Sequence, residues 1–127
     1  LHRRRHSFPT RRSSDLEHYT SYLLATAWGE PWPVAMAALL PCFWIYAEVG
    51  RDIHARSKPG NPWQAWVDTY AAEEFHEAVA RMRDTLDRIA AAATPAMRER
   101  MHDAYTKAAR LEWMFWDAAY RLEAWPV

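Results

Sequence analysis

Apolar residues recur at helical spacing along the second half of the chain, and this periodicity constrains the fold more than any other feature. Between residues 72 and 92 one apolar stripe consists of Phe75, Val79, Met82, Leu86 and Ile89. This spacing is typical of a helix with one buried face. A second helix is predicted from Thr94-Pro95, a common helix start, to about Glu123.

Three more helices are predicted before residue 72. The first covers residues 16–28, with Asp15 as its N-cap and Gly29 as its stop. The second begins at Pro31 to Pro33, ends near Gly50 or a turn later, and is kinked at Pro41. It is expected to be too short and too interrupted to span a bilayer, which needs about 20 apolar residues.

The third of these helices begins at Asn61-Pro62 and runs to Tyr70, after a loop at 57–61. The sequence holds no strand pattern and no internal repeat. Five helices with short connections predict an all-α helical bundle.

Charge and cysteine content exclude some classes of function. The 16 basic and 16 acidic residues balance, but five arginines lie in the first fifteen residues, so the remainder is mildly acidic. An acidic body argues against nucleic acid as a partner. The single cysteine excludes an intrachain disulfide framework and a cysteine-cluster metal site, and it favours a reducing, cytoplasmic location.

The first fifteen residues, LHRRRHSFPTRRSSD, differ from the rest in being rich in Arg and Ser. A basic binding arm and a transit peptide are two interpretations. The stretch also resembles translated sequencing-adapter sequence. We therefore expect residues 1–15 to be a non-native or disordered tail, and residues 16–127 to be the C-terminal part of one helical domain.

Glu112 breaks the apolar stripe of the last helix. The stripe consists of Met97, Met101, Tyr105, Ala108, Glu112, Phe115 and Ala119. A buried carboxylate must be paired, protonated or in a cavity. Glu112 is therefore either a functional carboxylate or a structural one paired with an arginine such as Arg110 or Arg121.

Cys42 and four tyrosines are the other candidate site residues. Cys42 follows Pro41 on an apolar face, where a lone cysteine is either inert core or a nucleophile. The tyrosines come from three helices: Tyr19, Tyr22, Tyr46 and Tyr70. Aromatic residues at helical spacing usually form core. Buried tyrosines also need partners for their hydroxyls, so the four suggest a polar-tipped aromatic pocket for a flat, nitrogen-rich ring.

A metal site is the competing interpretation. Glu73-x-x-His76 and Glu99-x-x-His102 match the spacing of di-iron bundles. On the helical wheel all four side chains point away from the apolar stripes, with the histidines at the edge. Solvated faces are therefore predicted, with no metal ligand among them.

Three blocks of sequence resemble the TenA/thiaminase II family. They are YTSYL at 19–23 with ALLPCFWIYAEVG at 38–50, WQAWVDTYAAEEF at 63–75, and RLEWMFWDAAYRLEAWP at 110–126. The resemblance covers residues 17–127, and its motifs PC-x-W-x-Y-x-E-x-G and R-x-E-x-MFW-x-x-AY are quite specific. It implies an all-α, haem-oxygenase-like fold without haem or any other cofactor.

The resemblance also implies an activity, which is hydrolysis of 4-amino-5-aminomethyl-2-methylpyrimidine to the hydroxymethyl pyrimidine in thiamin salvage, with thiamin itself as a further substrate. It implies that Cys42 is the nucleophile and Glu112 the acid/base. Tyr19, Tyr46 and Tyr70 match the pocket tyrosines, and Phe115 matches a ring-stacking position.

The family also implies a homotetramer that acts on small molecules, without nucleic acid or membrane. Its N-terminal helices supply a further Asp and Tyr to the pocket, and the Arg/Ser segment stands in their place here. We therefore expect the natural full-length protein to be the enzyme and these 127 residues to be inactive alone. A di-metal oxidase on the same fold and a non-catalytic helical binding module are the alternatives.

Overall fold

The computed structural model describes residues 13–123, and all its regular elements in that range are α-helices. They are α1 (Ser13–Gly29), α2 (Trp32–Leu39), α3 (Pro41–Arg56), α4 (Gln64–Ala71), α5 (Glu73–Ala92) and α6 (Pro95–Arg121). The predicted all-α class is confirmed. The prediction of five helices is wrong by one, because the helix expected to kink at Pro41 is two helices.

Pro41 separates α2 from α3. Its ring nitrogen carries no hydrogen, so the helical hydrogen bond at that position is missing. The Leu40 N–H still donates to the Met36 carbonyl at 3.2 Å, and the chain then turns into α3. α3 continues past Gly50 to Arg56, and Cys42 lies in its first turn.

Two helix starts differ from the prediction. α1 begins at Ser13 rather than Leu16, and α4 begins at Gln64 rather than Pro62. Before α4, Asn61 Oδ1 accepts the Trp63 N–H at 3.0 Å, so Asn61 stabilises the turn that leads into the helix.

The two helices with the clearest periodicity form as predicted. α5 ends at Ala92, and α6 starts after Thr94, whose hydroxyl oxygen accepts the Met97 N–H at 3.2 Å. This side-chain cap satisfies one of the free N–H groups of the first turn. α6 ends at Arg121, followed by Leu122 in a left-handed conformation.

Small side chains let α2 pack closely on α6 in the centre of the bundle. Ala38 and Ala108 are completely buried there, and α1 covers both helices. The buried core consists of Tyr19, Val34, Ala37, Ala38, Leu40, Leu86, Met101, Ala104, Ala108 and Leu111. This packing brings α1, the start of α3 and the middle of α6 together.

The prediction that the α2–α3 stretch is too short to span a bilayer is wrong on length. Residues Trp32–Arg56 are long and apolar enough to cross a membrane by length and composition. Buried core helices of soluble proteins pass the same test. Val34, Ala37 and Ala38 of this stretch belong to the core shared with α6, which accounts for its apolar character.

Candidate active site

The Cys42 thiol lies against Tyr19 of α1. The Tyr19 hydroxyl is 2.8 Å from Cys42 Sγ, and the Tyr19 ring is 4% exposed. Cys42 lies in the first turn of α3, directly after the break at Pro41. The structure therefore places together two of the residues that the sequence singled out, 23 positions apart.

Glu112 is almost completely buried on α6, at 2% exposure. Trp116 Nε1, one turn further along the helix, donates to Glu112 Oε1 at 3.1 Å. Within residues 13–123, no arginine or lysine forms an ion pair with Glu112. Arg121 instead pairs with Asp117 at 2.8 Å, and Arg110 is exposed. Among residues 13–123, the structural alternative of a Glu112–arginine pair is therefore not found.

Burial raises the pKa of Glu112 above its ordinary value, because desolvation penalises the carboxylate. Hydrogen bonding from Tyr19, Trp116 and Tyr46 acts in the opposite direction without cancelling it. A buried carboxyl with a raised pKa can exchange a proton near neutral pH, which a solvated glutamate does poorly.

Burial likewise raises the pKa of the Cys42 thiol, although the hydrogen bond from Tyr19 lowers it in part. The pKa values of Tyr19 and Tyr46 are raised by burial first and by the neighbouring Cys42 and Glu112 second. All four groups therefore favour their neutral forms. A thiolate at Cys42 needs a nearby base to accept its proton.

Tyr46 and Tyr70 line an aromatic cluster beside Glu112. Their ring centroids are 5.0 Å apart, and Tyr46 lies 5.6 Å from Trp116. Trp66 lies 4.8 Å from Tyr70. Tilted and edge-on contacts of this kind stabilise a fixed arrangement of rings. The structure thus brings Tyr19, Tyr46 and Tyr70 to one region, as the sequence predicted.

Tyr22 does not join this group. Its hydroxyl donates to the Ala104 carbonyl at 3.4 Å, on the side of α1 that packs against α6. Phe115 is partly buried, and its ring lies edge-on to Trp116 at 5.8 Å. Phe115 is therefore next to the cluster, through Trp116.

The position of Tyr70 depends on a close approach of α3 and α4. A Cβ atom at Gly50 would lie 2.6 Å from Tyr70 Cβ, so only glycine fits there. His76 Nε2 lies 3.1 Å from the Tyr70 carbonyl oxygen, and Arg51 Nη2 lies 2.6 Å from His76 Nδ1. Arginine only donates, so His76 Nδ1 accepts and Nε2–H donates to the carbonyl.

The four residues of the two Glu-x-x-His motifs divide between two environments. Glu73, Glu99 and His102 are exposed, as predicted. His76 is not a solvated residue as predicted, because it is half-buried and both of its ring nitrogens have protein partners. In the part of the chain that the structure describes, no three His, Cys, Asp or Glu side chains are grouped to hold a metal ion.

Sequence reasoning missed three contributors to the site, Trp66, Phe75 and Trp116. Phe75 was predicted only as part of an apolar stripe and Trp66 was given no role, although both lie against Tyr70. Trp116 follows Glu112 by four residues, the spacing at which helix side chains meet. That spacing is the signal that could have identified it as the donor to Glu112.

Comparison with known proteins identifies a family and several relatives. Residues 3–122 match the TENA/THI-4/PQQC family. The chain is 33% identical over 108 residues to an aminopyrimidine aminohydrolase of Bacillus subtilis, covering 84% of this chain and 45% of that protein. It is 32% identical over 103 residues to a thiamine biosynthesis multifunctional protein of Corynebacterium efficiens, covering 81% of this chain and 14% of that protein.

A solved structure shows the same fold. The TenA homologue from Pyrococcus furiosus superposes with a TM-score of 0.81 at 25% identity, covering 84% of this chain and 52% of that one. The chain thus spans about half the length of this structure and of the Bacillus relative. Taken together, the match over residues 3–122, the relatives and the shared fold show that the chain belongs to the TENA/THI-4/PQQC family.

Proposed function

We propose that the whole protein hydrolyses an aminopyrimidine in thiamin salvage, with Cys42 as nucleophile and Glu112 as acid/base. The observation that carries the proposal is the Tyr19 hydroxyl, 2.8 Å from the Cys42 thiol, with the buried Glu112 as a further neighbour that raises the pKa of Tyr19. A thiol, a hydroxyl and a carboxyl in this order form a path for one proton. The named activity of the Bacillus relative supports the choice of substrate.

In the first step, Tyr19 relays a proton from Cys42 to Glu112. Cys42 passes its proton to the Tyr19 oxygen while Tyr19 passes its own proton to the Glu112 carboxylate, which leaves a thiolate and a neutral Glu112. The thiolate forms a bond to an electron-poor carbon of the pyrimidine ring, and Glu112 gives its proton to a ring nitrogen. The raised pKa of Glu112 makes its carboxylate a stronger base than an ordinary glutamate, and the hydrogen bonds to it keep that form accessible.

Hydrolysis requires that the bond between the aminomethyl carbon and its amine nitrogen breaks. The amine, which carries an extra proton in neutral water, leaves as ammonia. Water adds to the carbon that it left and loses one proton, which ammonia takes up as ammonium. The ring nitrogen returns its proton to Glu112 as the sulfur–carbon bond breaks, and the reverse transfer through Tyr19 restores the Cys42 thiol and the Glu112 carboxylate. The net change is a protonated aminomethyl group and water converted to a hydroxymethyl group and ammonium.

Substrate binding is assigned to the aromatic residues. Tyr46 and Tyr70 supply hydroxyls beside flat ring faces, and we propose that Phe115 stacks on the pyrimidine. Aromatic side chains held by their neighbours lose little entropy on binding and so fix the orientation of a flat ring. Binding energy from stacking then places the reacting carbon next to Cys42.

An assay with 4-amino-5-aminomethyl-2-methylpyrimidine tests the function. With the whole protein we expect release of ammonia and of the hydroxymethyl pyrimidine, and loss of both in Cys42→Ala. Glu112→Gln keeps the side-chain shape but lowers the rate by about 10²–10⁴-fold, the usual contribution of a general acid/base. The same change at Glu99, which is exposed on α6, is the matched control. Unchanged turnover in Cys42→Ala contradicts the nucleophile assignment, whereas no turnover in the whole unsubstituted protein favours a binding module.

We also propose that the active form contains a further N-terminal part and is a cytoplasmic homotetramer, as the family resemblance implies. Large apolar side chains are exposed on α1 and α2, including Trp28 at 90% and Trp32 at 58%, which suits a surface that other protein covers. The genomic sequence upstream of Leu16 tests the N-terminal part. Helices encoded there with an Asp and a Tyr for the pocket support the proposal. A start codon directly before the Arg/Ser segment contradicts a further N-terminal part. Light scattering on the purified protein measures the oligomeric state.

A further inference from the structure

Trp116 and Glu112 are held in contact by the same helix. They are four residues apart on α6, and Trp116 Nε1 donates to Glu112 Oε1 at 3.1 Å. The indole ring is also fixed from outside the helix, since it lies 5.6 Å from Tyr46 and 6.3 Å from Trp66. The donor therefore has a defined position relative to the carboxyl.

An indole N–H can only donate a hydrogen bond, whereas a tyrosine hydroxyl can donate or accept. Whatever the protonation state of Glu112, Oε1 is thus the acceptor of the Trp116 bond. When Glu112 is neutral, its proton belongs on the other oxygen, Oε2, because the carbonyl oxygen is the better acceptor. The tyrosine hydroxyls can adjust to either form, but Trp116 cannot.

The same contact favours the ionised form of Glu112. Burial raises the pKa of this carboxyl, and the Trp116 hydrogen bond is one of the contacts that lower it in part. A carboxyl group acts as a base only after it has lost its own proton. Trp116 therefore acts against burial and keeps both forms of Glu112 accessible.

We propose that Trp116 is a positioning residue, which assigns the transferable proton of Glu112 to Oε2 and stabilises its carboxylate through the Oε1 contact. The inference rests on the proposed acid/base role of Glu112. Trp116 itself needs no contact with substrate. Its effect is on which oxygen of Glu112 exchanges a proton and at which pH.

Nuclear magnetic resonance of the protein labelled with ¹³C at glutamate carboxyls and ¹⁵N at tryptophan indoles tests this without turnover. In the unsubstituted protein, the Trp116 indole resonance is expected to move with pH at the same midpoint as the Glu112 carboxyl. Glu112→Gln should remove that movement. Because this measurement needs no change at Trp116, it remains informative if a Trp116 variant fails to fold.

Trp116→Phe keeps an aromatic ring and removes only the donor. We expect the Glu112 midpoint to rise by about 1–2 pH units, the size expected when a hydrogen bond to a charged group is lost. Trp113→Phe is the matched control, since Trp113 follows Glu112 on the same helix and is 64% exposed. It should leave the midpoint where it is.

Two results overturn the inference: a Trp116 indole resonance that does not follow Glu112, or a Glu112 midpoint that Trp116→Phe leaves unchanged. Neither depends on substrate. Failure of the proposed function appears instead as unchanged turnover in Cys42→Ala. The two failures are therefore distinguishable in the same set of proteins.

Discussion

The Tyr19 hydroxyl lies 2.8 Å from the Cys42 thiol and joins the middle of α1 to the first turn of α3. The contact has two consequences. It satisfies the hydroxyl of a tyrosine that is 4% exposed, and it lowers in part the pKa of Cys42, which burial raises. Structure and reactivity therefore depend on the same hydrogen bond.

Tyr19→Phe should slow the reaction of Cys42 with iodoacetamide. The variant loses the hydrogen bond that lowers the pKa of the thiol, so desolvation raises that pKa further and less thiolate is present at a given pH. The rate of alkylation measured across pH checks this expectation, with Tyr120→Phe, at 89% exposure, as the control. An alkylation profile identical to that of the unsubstituted protein contradicts the role assigned to Tyr19.

Glu112→Gln should change how stability depends on pH. The pKa of Glu112 is raised in the folded state, so between the unfolded value near 4.5 and that raised value the folded state binds more protons than the unfolded state. The free energy of unfolding therefore falls across this window as pH rises, by up to about 1.4 kcal/mol per pH unit, and levels off above the folded-state pKa.

Urea unfolding at several pH values measures this effect as the difference between the unsubstituted protein and Glu112→Gln. The unsubstituted protein should lose stability relative to the variant as pH rises from acid to neutral. Glu99→Gln controls for the loss of one carboxylate from α6. A difference that stays constant with pH is evidence against a protonated, buried Glu112.

Local periodicity was sufficient to predict α5, α6 and the burial of Glu112. The apolar stripe of α6 places position 112 inside, and a carboxylate there stands out against its neighbours. Pro41 likewise marked the region of Cys42, although a proline within an apolar run predicts a kink as readily as the two separate helices that form.

Contacts between helices were not predictable from one sequence. Nothing near Gly50 indicates that Tyr70 approaches it, because the two are 20 positions apart and meet only when α3 packs on α4. His76 lies at the edge of the apolar stripe of α5. The helical wheel therefore could not predict whether its side chain faces solvent or the Tyr70 carbonyl of α4. The arginine expected opposite Glu112 is replaced by a neutral donor on the same helix, Trp116.

Gly50→Ala should destabilise the protein. Alanine usually stabilises a helix relative to glycine, but its Cβ would lie 2.6 Å from Tyr70 Cβ and 2.8 Å from the Tyr70 carbonyl carbon. We expect a loss of about 1–3 kcal/mol in the free energy of unfolding, the usual cost of overpacking. Gly29→Ala is the matched control, because a Cβ there meets nothing within 4 Å. Equal stabilities for the two variants would show that α3 and α4 do not pack this closely.

His76→Phe should weaken substrate binding more than it slows turnover. The variant loses the donor to the Tyr70 carbonyl at the end of α4, where helix carbonyls lack partners of their own. We expect a stability loss of about 1 kcal/mol. In the whole protein we expect a higher KM for the pyrimidine with kcat little changed, because Tyr70 is proposed to bind the ring and not to take part in proton transfer. Thermal unfolding and steady-state kinetics measure the two effects.

His76→Gln separates the hydrogen bond from the aromatic ring. A glutamine amide can still donate to the Tyr70 carbonyl, so this variant should recover part of the stability and of the KM that phenylalanine loses. His102→Phe, at an exposed position on α6, controls for replacing a histidine by an apolar ring. If glutamine is no better than phenylalanine at position 76, the histidine acts through its packing against Phe75, at 6.4 Å, and not through the carbonyl.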